Sequence, residues 1–329
     1  MFSPLSLGHF SIPSPNPDQS YFTVGPFTVH YYALCILAGI IAATIWTSRR
    51  LTKRGAEPGI VLDIILWAVP LGIIGARVYH VLTHPTDYFY PGADLFKTLY
   101  IWDGGNAIFG SLIGGAIGAY IGCRMSGIRF WAFADALAPA MLLAQAMGRV
   151  GNYINNELFG LPTNLPWGLQ IQQSNPAFPV GLPAGTLFQP LFLYEIIWDV
   201  IGIFVVLAIE RRFRLQWGKT FGVYMIWYGL GRTYLESIRI DPSEFSFLGI
   251  PFNVWAAFLV FLGGIVLIVV QRRRHPGQEP SVYVPGRQWH RPDAEVDSDD
   301  TDSDDQDHGE SAGEPNEPGA ARATSSIGS

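Results

Sequence analysis

The chain has 329 residues and a formal net charge of −6, and 49% of its residues are hydrophobic. The apolar residues fall into blocks of about 20, the length that spans a bilayer, which excludes an ordinary soluble fold and indicates a polytopic membrane protein. The negative charge belongs to the end of the chain, because residues 276–329 hold 13 acidic and 3 basic residues. Cys35 and Cys123 lie far apart, with no C-x-x-C motif or histidine neighbour, so we expect neither a metal nor a redox centre.

The chain opens with residues that precede the first apolar block. Its start, MFSPLSLGHFSIPSPNPDQS, has neither a basic beginning nor a continuous apolar stretch, so we expect no cleavable signal peptide. We interpret residues 1–24 as an N-terminal extracytoplasmic segment, and we expect the spans themselves to direct insertion.

Seven apolar runs follow, and the pattern predicts a membrane-spanning helix in each. They cover approximately residues 31–48, 60–80, 105–123, 130–148, 191–209, 220–236 and 250–270. With the N-terminus outside, the cytoplasmic segments hold 13 Lys and Arg and the outer loops hold three. Cytoplasmic loops carry such an excess. The sequence therefore predicts an all-α polytopic membrane protein with seven transmembrane helices and its N-terminus outside.

The third predicted span is rich in glycine. Gly110, Gly114, Gly118 and Gly122 recur every four residues and so share one helical face. Small residues at that spacing allow two helices to approach closely, and we interpret them as a packing surface.

The composition changes from Pro276 onward. The segment contains VDSDDTDSDDQDHGE and a Pro/Gly/Ser/Ala-rich ending, which cannot bury enough apolar surface to fold. We predict that residues 276–329 form a disordered acidic cytoplasmic tail after a membrane domain at 25–275.

Polar side chains collect at the predicted outer ends of the spans. They are His30 and Tyr32 in the first, Arg77 in the second, Arg149, Asn152, Asn155 and Glu157 after the fourth, and Tyr228, Arg232, Glu236 and Arg239 around the end of the sixth. A charge deep in a membrane costs at least ~2.5–3.5 kcal/mol, so such residues usually face a protein interior or a water-filled cavity and are paired. We therefore predict one shared polar cavity in the outer half.

Each member of this set also has a structural interpretation. Arg232 and Glu236, four residues apart on one helical face, form either part of a site or a buried ion pair that only fixes packing. Arg149 can reach the interface like other helix-end arginines, and the tyrosines suit an aromatic belt. The planar fork of arginine suits phosphate, so the set indicates a phospholipid headgroup. It does not distinguish moving, sensing or chemically altering the lipid.

A longer motif lies at the centre of the set. The stretch GRVGNYINNELFG, residues 148–160, resembles the signature of the prolipoprotein diacylglyceryl transferase family, G-R-[aliphatic]-G-N-[aromatic]-[IL]-N-x-E-x-[aromatic]-G. The segments VHYYAL, GARVYHVL, WDGG, FQPLFLYE and WYGLGRTYLESIRIDP occur around it in the family's order. The resemblance covers about residues 25–270.

The resemblance implies a seven-span enzyme of the bacterial cytoplasmic membrane, with its active site toward the outer leaflet. Members of this family transfer the diacylglyceryl group of phosphatidylglycerol to the lipobox cysteine thiol of a preprolipoprotein, forming a thioether and releasing glycerol-1-phosphate. Residues 25–275 would then be the transferase domain. We expect phosphatidylglycerol, preprolipoprotein signal peptides and the bilayer as partners, with no cofactor and no nucleic acid.

The polar pattern and the resemblance together give a set of candidate site residues. We predict catalytic roles for Arg149, Arg232, Glu157, Tyr32, His30 and Glu236. We predict substrate binding by Arg149, Asn152, Asn155, Gly160, Tyr228, Arg239 and Arg77. The resemblance implies that Arg149 and Arg232 hold the phosphate and stabilise its departure.

The chain departs from the family pattern at two histidines. Phe109 stands where many members have a histidine in the third span, and Gln189 replaces another before the fifth. A peptide thiol has a pKa of about 8.5 and needs help to ionise. The candidates that remain are His30, Glu157 and Glu236, or a lowering of the thiol pKa by the arginines.

Two other classes of function remain open. One is a lipid or anion transporter or receptor, although the chain shows no internal repeat and its charges gather at one face instead of at mid-depth. The other is a family member that only binds or scaffolds, a hypothesis that the missing histidine keeps open. A cysteine-containing peptide substrate separates an enzyme from both.

Overall fold

The structure of the chain is a computed structural model, which describes residues 11–16, 20–25, 27–101, 104–105, 107–240 and 246–289. Seven α-helices form its frame: α1 Tyr31–Thr52, α2 Ile60–Thr83, α3 Ile108–Met125, α4 Phe130–Ile154, α5 Leu191–Phe213, α6 Lys219–Ser237 and α7 Phe252–Arg274. Three two-stranded antiparallel sheets accompany them: β1 Tyr21–Val24 with β2 Phe27–His30, β3 Leu169–Gln170 with β4 Leu187–Phe188, and β5 Ser246–Phe247 with β6 Ile250–Pro251. Short 3-10 helices at Pro85–Asp87 and Leu95–Leu99 connect α2 to α3.

The prediction of a polytopic membrane protein is confirmed. Within the described part of the chain, six helices are long and apolar enough to cross a bilayer, and α6 is the helix outside that set. Its 19 residues include Lys219, Arg232 and Glu236, which lower its hydropathy. The fourth predicted span ends too early, because α4 continues to Ile154. Arg149 and Asn152 therefore lie on a helix instead of in a loop.

Helices α2 and α3 pack against each other through the predicted glycine face. A side chain at Gly114 would collide with the carbonyl of Leu71, and one at Gly118 with the carbonyl of Trp67. The absence of a Cβ is thus what brings the two backbones together, and the packing interpretation is confirmed.

Helix α4 is the most buried helix and packs against α1, α5 and α6. Its Leu142 joins a core with Ile203 and Val206 of α5 and Tyr224 of α6. A buried carboxylate fixes the start of α6, since Asp135 accepts hydrogen bonds from the backbone N–H groups of Gly218 at 2.8 Å and Phe221 at 2.9 Å. These contacts align the far ends of α4, α5 and α6, where the polar residues lie.

The described part of the N-terminal segment belongs to the fold. Ile12 bridges Leu169 of β3 in a parallel arrangement, with backbone hydrogen bonds of 2.9 Å to Gly168 and 2.8 Å from Gln170. Beneath it, Phe159, Leu169, Ile171 and Phe188 form a second core. Residues 11–16 thus pack on the loops that follow α4, and are not separate from the membrane domain as the predicted boundary at 24 implied.

A segment after α7, residues 276–288, requires a correction to the predicted tail. We call it the C-terminal strap. Val282 and Tyr283 are 2% and 3% exposed. The backbone N–H of Arg129 donates to the carbonyl of Val282 at 2.8 Å, and that of Val284 donates to the carbonyl of Gly127 in the α3–α4 loop at 2.8 Å. Its apolar residues bury surface against the helix ends, so this stretch folds. The acidic residues 290–329 lie outside the described residues.

Candidate functional site

Ionisable side chains from α4, α5 and α6 meet at the end of the bundle where α4 ends and α5 begins. We call this the signature end, because it carries residues 148–160, and the opposite one the strap end. The charged members are three arginines and three glutamates, joined by one asparagine. This outer cluster consists of Arg149, Asn152, Glu157, Glu195, Arg232, Glu236 and Arg239.

Glu195 of α5 lies between the two arginines of the cluster. One carboxylate oxygen pairs with Nε of Arg149, and the other accepts from Nη1 of Arg232 at 3.1 Å. The residue is only 7% exposed. Sequence reasoning missed Glu195, although an acidic residue near the start of an apolar span was a signal that could have found it.

The pairing of Arg232 with Glu236 is confirmed. Nη2 of Arg232 lies 2.6 Å from Oε2 of Glu236 one helical turn later. Glu236 also accepts from Nη1 of Arg239 at 3.2 Å and from Nδ2 of Asn253 on α7 at 3.1 Å. Glu236 thereby connects α6 to α7 and to the chain beyond α6.

Asn152 connects Arg149 to Glu157. Its carbonyl oxygen accepts from Nη1 of Arg149 at 3.0 Å, while its amide nitrogen donates to Oε1 of Glu157 at 2.9 Å. Tyr32 of α1 reaches the same place, since its ring lies against Gly151 and its hydroxyl interacts with Asn152. Four of the predicted residues are therefore brought together.

The turn between Asn152 and Glu157 is held in an unusual backbone conformation. Asn156 and Leu158 have φ angles of 56° and 57°, in the left-handed region that asparagine tolerates better than most residues. The side-chain amide of Asn156 donates to the Ser14 hydroxyl at 2.7 Å, and the backbone carbonyl of Asn156 accepts from the Asn175 side chain at 2.8 Å. The N-terminal segment therefore braces the turn that presents Glu157.

Gly160 lies where three segments approach closely. Its N–H donates to the carbonyl of Gln189 at 2.9 Å, and it bridges Arg239. A Cβ at this position would lie 2.9 Å from Cβ of Gln189 and 3.0 Å from the carbonyl oxygen of Ile238. This crowding explains the glycine and positions Arg239, whereas its predicted contact with substrate stays a prediction.

Arg77 lies outside the outer cluster. Its guanidinium donates to the carbonyls of Thr98 at 2.9 Å and Gly104 at 2.6 Å, and further to those of Lys97 and Gly105. All three of its guanidinium nitrogens therefore hold the loop between α2 and α3, and the predicted role of Arg77 in substrate binding stays a prediction.

Two other predicted residues are also not brought into the cluster by described contacts. His30 is exposed at the N-cap of α1, with its ring 5.7 Å from that of Tyr21. Asn155 is the C-cap of α4. Phe109, at the start of α3, packs against Tyr79 and Phe252 at 6.2 and 6.0 Å between ring centroids.

A small cavity borders the two arginines. Its volume is about 10 Å³, and it is lined by Gln145, Arg149, Glu195, Trp198, Asp199, Tyr228, Gly231, Arg232 and Leu235. Such a volume holds about one water molecule. A phosphate fits between the arginines only if Glu195 moves away from them. No group of three or more metal-ligating side chains suited to an ion occurs in the described ranges.

Comparison with known proteins gives a consistent result. The family model of prolipoprotein diacylglyceryl transferase matches residues 19–270. A phosphatidylglycerol–prolipoprotein diacylglyceryl transferase of Leifsonia xyli subsp. xyli is 67% identical over 300 residues, which cover 89% of this chain and 90% of that protein. Proteins with the same function in their names from Paenarthrobacter aurescens and Streptomyces coelicolor are 45% and 44% identical, covering 82% and 80% of this chain and 86% and 83% of theirs.

Proposed function

Because the chain belongs to the prolipoprotein diacylglyceryl transferase family, we propose that the outer cluster is where it transfers the diacylglyceryl group of phosphatidylglycerol to a prolipoprotein. The chain is a transferase of lipoprotein maturation. The observation that carries the assignment of the site is the position of the buried Glu195 carboxylate between Arg149 and Arg232. A lipid phosphate has the charge and the acceptor geometry to take its place.

The proposed topology has seven spans in the bacterial cytoplasmic membrane, with the N-terminus outside and the signature end at the outer leaflet. The 13 to 3 distribution of Lys and Arg supports it. Helix α6 would be the seventh span, since its charged residues Arg232 and Glu236 pair within the bundle. Charges inside membranes adopt this arrangement.

The charge balance of the cluster favours exchange of one anion for another. Arg149, Arg232 and Arg239 compensate Glu157, Glu195 and Glu236, and the phosphate of phosphatidylglycerol takes the place of the Glu195 carboxylate when Glu195 releases the guanidiniums. Both arginines then face the oxygen on which negative charge develops. Preorganised donors of this kind contribute about 10²–10³-fold to rate.

The reaction displaces phosphate from carbon. The cysteine sulfur bonds to the diacylglycerol C3 carbon while the bond from this carbon to the phosphate oxygen breaks. Glycerol-1-phosphate departs with both electrons of that bond. The thiol proton must pass to a base, and we infer that the released Glu195 accepts it. Glu157 and Glu236 keep hydrogen bonds to Asn152 and Asn253, respectively, and His30 lies outside the cluster.

A cleft beside the cluster suits apolar substrate chains. It has a volume of about 560 Å³ between the ends of α6 and α7, and Glu236 and Arg239 form its polar side. The rest of its wall includes Leu230, Tyr234, Ile250, Pro251 and Val254. We propose that an acyl chain or the apolar part of the lipobox peptide passes here.

A transfer assay tests this function. Purified protein in detergent is mixed with phosphatidylglycerol and a lipobox peptide, and the products are identified by mass spectrometry, with a Cys→Ser peptide as control. We expect a diacylglyceryl adduct on cysteine only, together with glycerol phosphate. Lipid binding without an adduct would contradict catalysis of the transfer and favour a role in lipid binding or transport.

Glu195→Gln tests the proposed base in the same assay. The amide keeps the shape of the side chain but cannot take the proton, so we expect a fall in kcat of about 10²-fold or more with lipid binding retained. Near-normal kcat would reject Glu195 as the base. Glu210→Gln, which changes a glutamate that pairs with Arg50 at the strap end, is the matched control.

A further inference from the structure

The strap end contains a cavity that the transfer reaction does not use. Its volume is about 720 Å³, within the range of about 300–1,000 Å³ found for small-molecule sites. It lies between the end of α3, the start of α4, the α5–α6 turn and the C-terminal strap. The residues that the following argument uses are Tyr120, Arg124, Arg129, Trp131, Trp217 and His275.

One wall of this cavity is a stack in which Arg129 and His275 both pack on the ring of Trp217. The Arg129 guanidinium lies 4.9 Å from the ring centroid of Trp217, and the His275 ring stacks on Trp217 at 4.0 Å with an interplanar angle of 6°. The indole N–H of Trp217 donates to the carbonyl of Gly277 at 3.1 Å. The stack is therefore fixed on several sides.

Trp217 adopts a backbone conformation that side chains with a Cβ rarely take. Its φ angle is 63°, in the left-handed region, where a bulky non-glycine residue is strained. Strain of this kind persists only where the surroundings over-determine it, and it concentrates at ligand sites and switch regions. The α5–α6 turn thus holds an aromatic ring against this cavity at an energetic cost.

The cavity carries positive charge that protein groups do not fully compensate. Nε of Arg129 donates to the carbonyl of Tyr283 at 2.8 Å, which leaves its two terminal amino groups outside the hydrogen bonds of the described residues. Arg124 adds a second guanidinium, exposed on the last turn of α3. The carboxylate at the wall, Glu279, already pairs with Arg54 at 2.6 Å.

The remaining apolar surface combines aromatic rings, including Tyr120 and Trp131, with aliphatic side chains such as Ile128 and Val284. Arginines above a Trp- and Tyr-lined cavity at a helix end match the interfacial region of a bilayer, where basic pockets on the cytoplasmic side hold anionic headgroups. We propose that this cavity binds the phosphate headgroup of an anionic phospholipid from the inner leaflet. The inference rests on the topology proposed above. The largely apolar lining favours a lipid over the acidic residues 293–307 of the chain itself.

Photolabelling of the full chain tests the proposal. The protein is placed in phosphatidylcholine nanodiscs doped with a photoreactive phosphatidylglycerol, and the labelled peptides are mapped by mass spectrometry. We expect label on residues 120–131 and competition by unlabelled phosphatidylglycerol but not by phosphatidylcholine. We expect Arg124→Gln with Arg129→Gln to lower that label about tenfold. Arg211→Gln, an exposed arginine at the same end of the bundle, is the matched control and should leave the label unchanged.

Three outcomes overturn the proposal. Equal labelling in all variants, or equal competition by phosphatidylcholine, means annular lipid only. A several-fold rise in label after deletion of residues 290–329 means that the acidic tail occupies the cavity in the full chain. The single variant Arg124→Gln replaces the double variant if the latter misfolds, because Arg124 is exposed and Arg129 is not. Transfer measured in parallel separates the two proposals, since loss of transfer with labelling intact affects only the proposed function.

Discussion

Both ends of the helix bundle contain several arginines, but the hydrogen-bonding partners of these arginines differ. At the signature end, Arg149 and Arg232 pair with the buried carboxylates of Glu195 and Glu236. At the strap end, Arg129 donates to the main-chain carbonyl of Tyr283, and Arg50 and Arg54 reach main-chain carbonyls in addition to their carboxylate partners. A carboxylate on a side chain can leave an arginine when another anion arrives, whereas a carbonyl of a folded segment cannot.

Arg77 shows that the bonding partner, and not the location alone, makes this difference. It belongs to the same predicted outer set as Arg149, yet its guanidinium donates to carbonyls of the α2–α3 loop. We infer that an arginine suited to substrate is one whose present partner is a side-chain carboxylate that another anion can replace.

Arg149→Ala and Arg232→Ala should have the largest effect. Each removes one guanidinium from the proposed phosphate clamp, so we expect loss of transfer by at least about 10²-fold with normal membrane insertion. The assay is adduct formation on the lipobox peptide, with Arg211→Ala as the exposed-arginine control. Wild-type turnover in either variant would reject the proposed binding of phosphate by these two arginines.

Asp135→Ala, a change at the strap end, should strongly destabilise the fold. It leaves the N–H groups of Gly218 and Phe221 without their acceptor, at about 1–3 kcal/mol for each buried donor. We expect a clear fall in Tm in detergent. Asp63→Ala, at an exposed position in the first turn of α2, should change Tm little, and equal shifts in both variants would contradict the role of Asp135.

Gly160→Ala should be destabilising by about 1–3 kcal/mol, because its Cβ would lie 2.9 Å from Cβ of Gln189. Gly148→Ala provides a control in the same motif. Nothing lies within 4 Å of its added Cβ, and the position is helical, so it should be neutral or stabilising by up to about 1 kcal/mol. Thermal unfolding of the pair measures the difference, and the reverse order would refute the close approach.

Docking of the C-terminal strap should weaken as pH rises. Burial raises the pKa of Glu279 above its ordinary value of 4.5, so its contribution to stability is fully present below that value. The contribution is lost as pH rises through the elevated pKa. Amide exchange of residues 276–288, corrected for the intrinsic effect of pH, should therefore show more protection in acid. Glu279→Gln removes the titration, and the same pH trend in that variant would count against this explanation.

Phe109→His should have the smallest effect. The ring at this position packs on Tyr79 and Phe252, and the proposed base lies elsewhere, so we expect transfer to be retained without a large gain. A rise in kcat by orders of magnitude would show that the chain lacks a proper base and that Glu195 does not serve as one.

The class of fold and the position of the signature motif at residues 148–160 follow from the sequence alone. Apolar blocks of bilayer length predict membrane helices because hydrocarbon leaves backbone groups no partner outside the helix. The spacing of Gly110, Gly114 and Gly118 likewise predicted close packing, since a period of four places them on one helical face. The pairing of Arg232 with Glu236 followed from the same periodicity.

Which polar residues lie together depends on the packing of the helices. Glu195 joins Arg149 and Arg232 across three helices, and such contacts depend on how α4, α5 and α6 rotate and pack, which local periodicity does not encode. The loop contacts of Arg77 were missed for the same reason, because its donors reach carbonyls of the α2–α3 loop and not the cluster. The strap was missed since its few apolar residues, Val282 and Tyr283, gain burial only against helix ends that are far away in sequence.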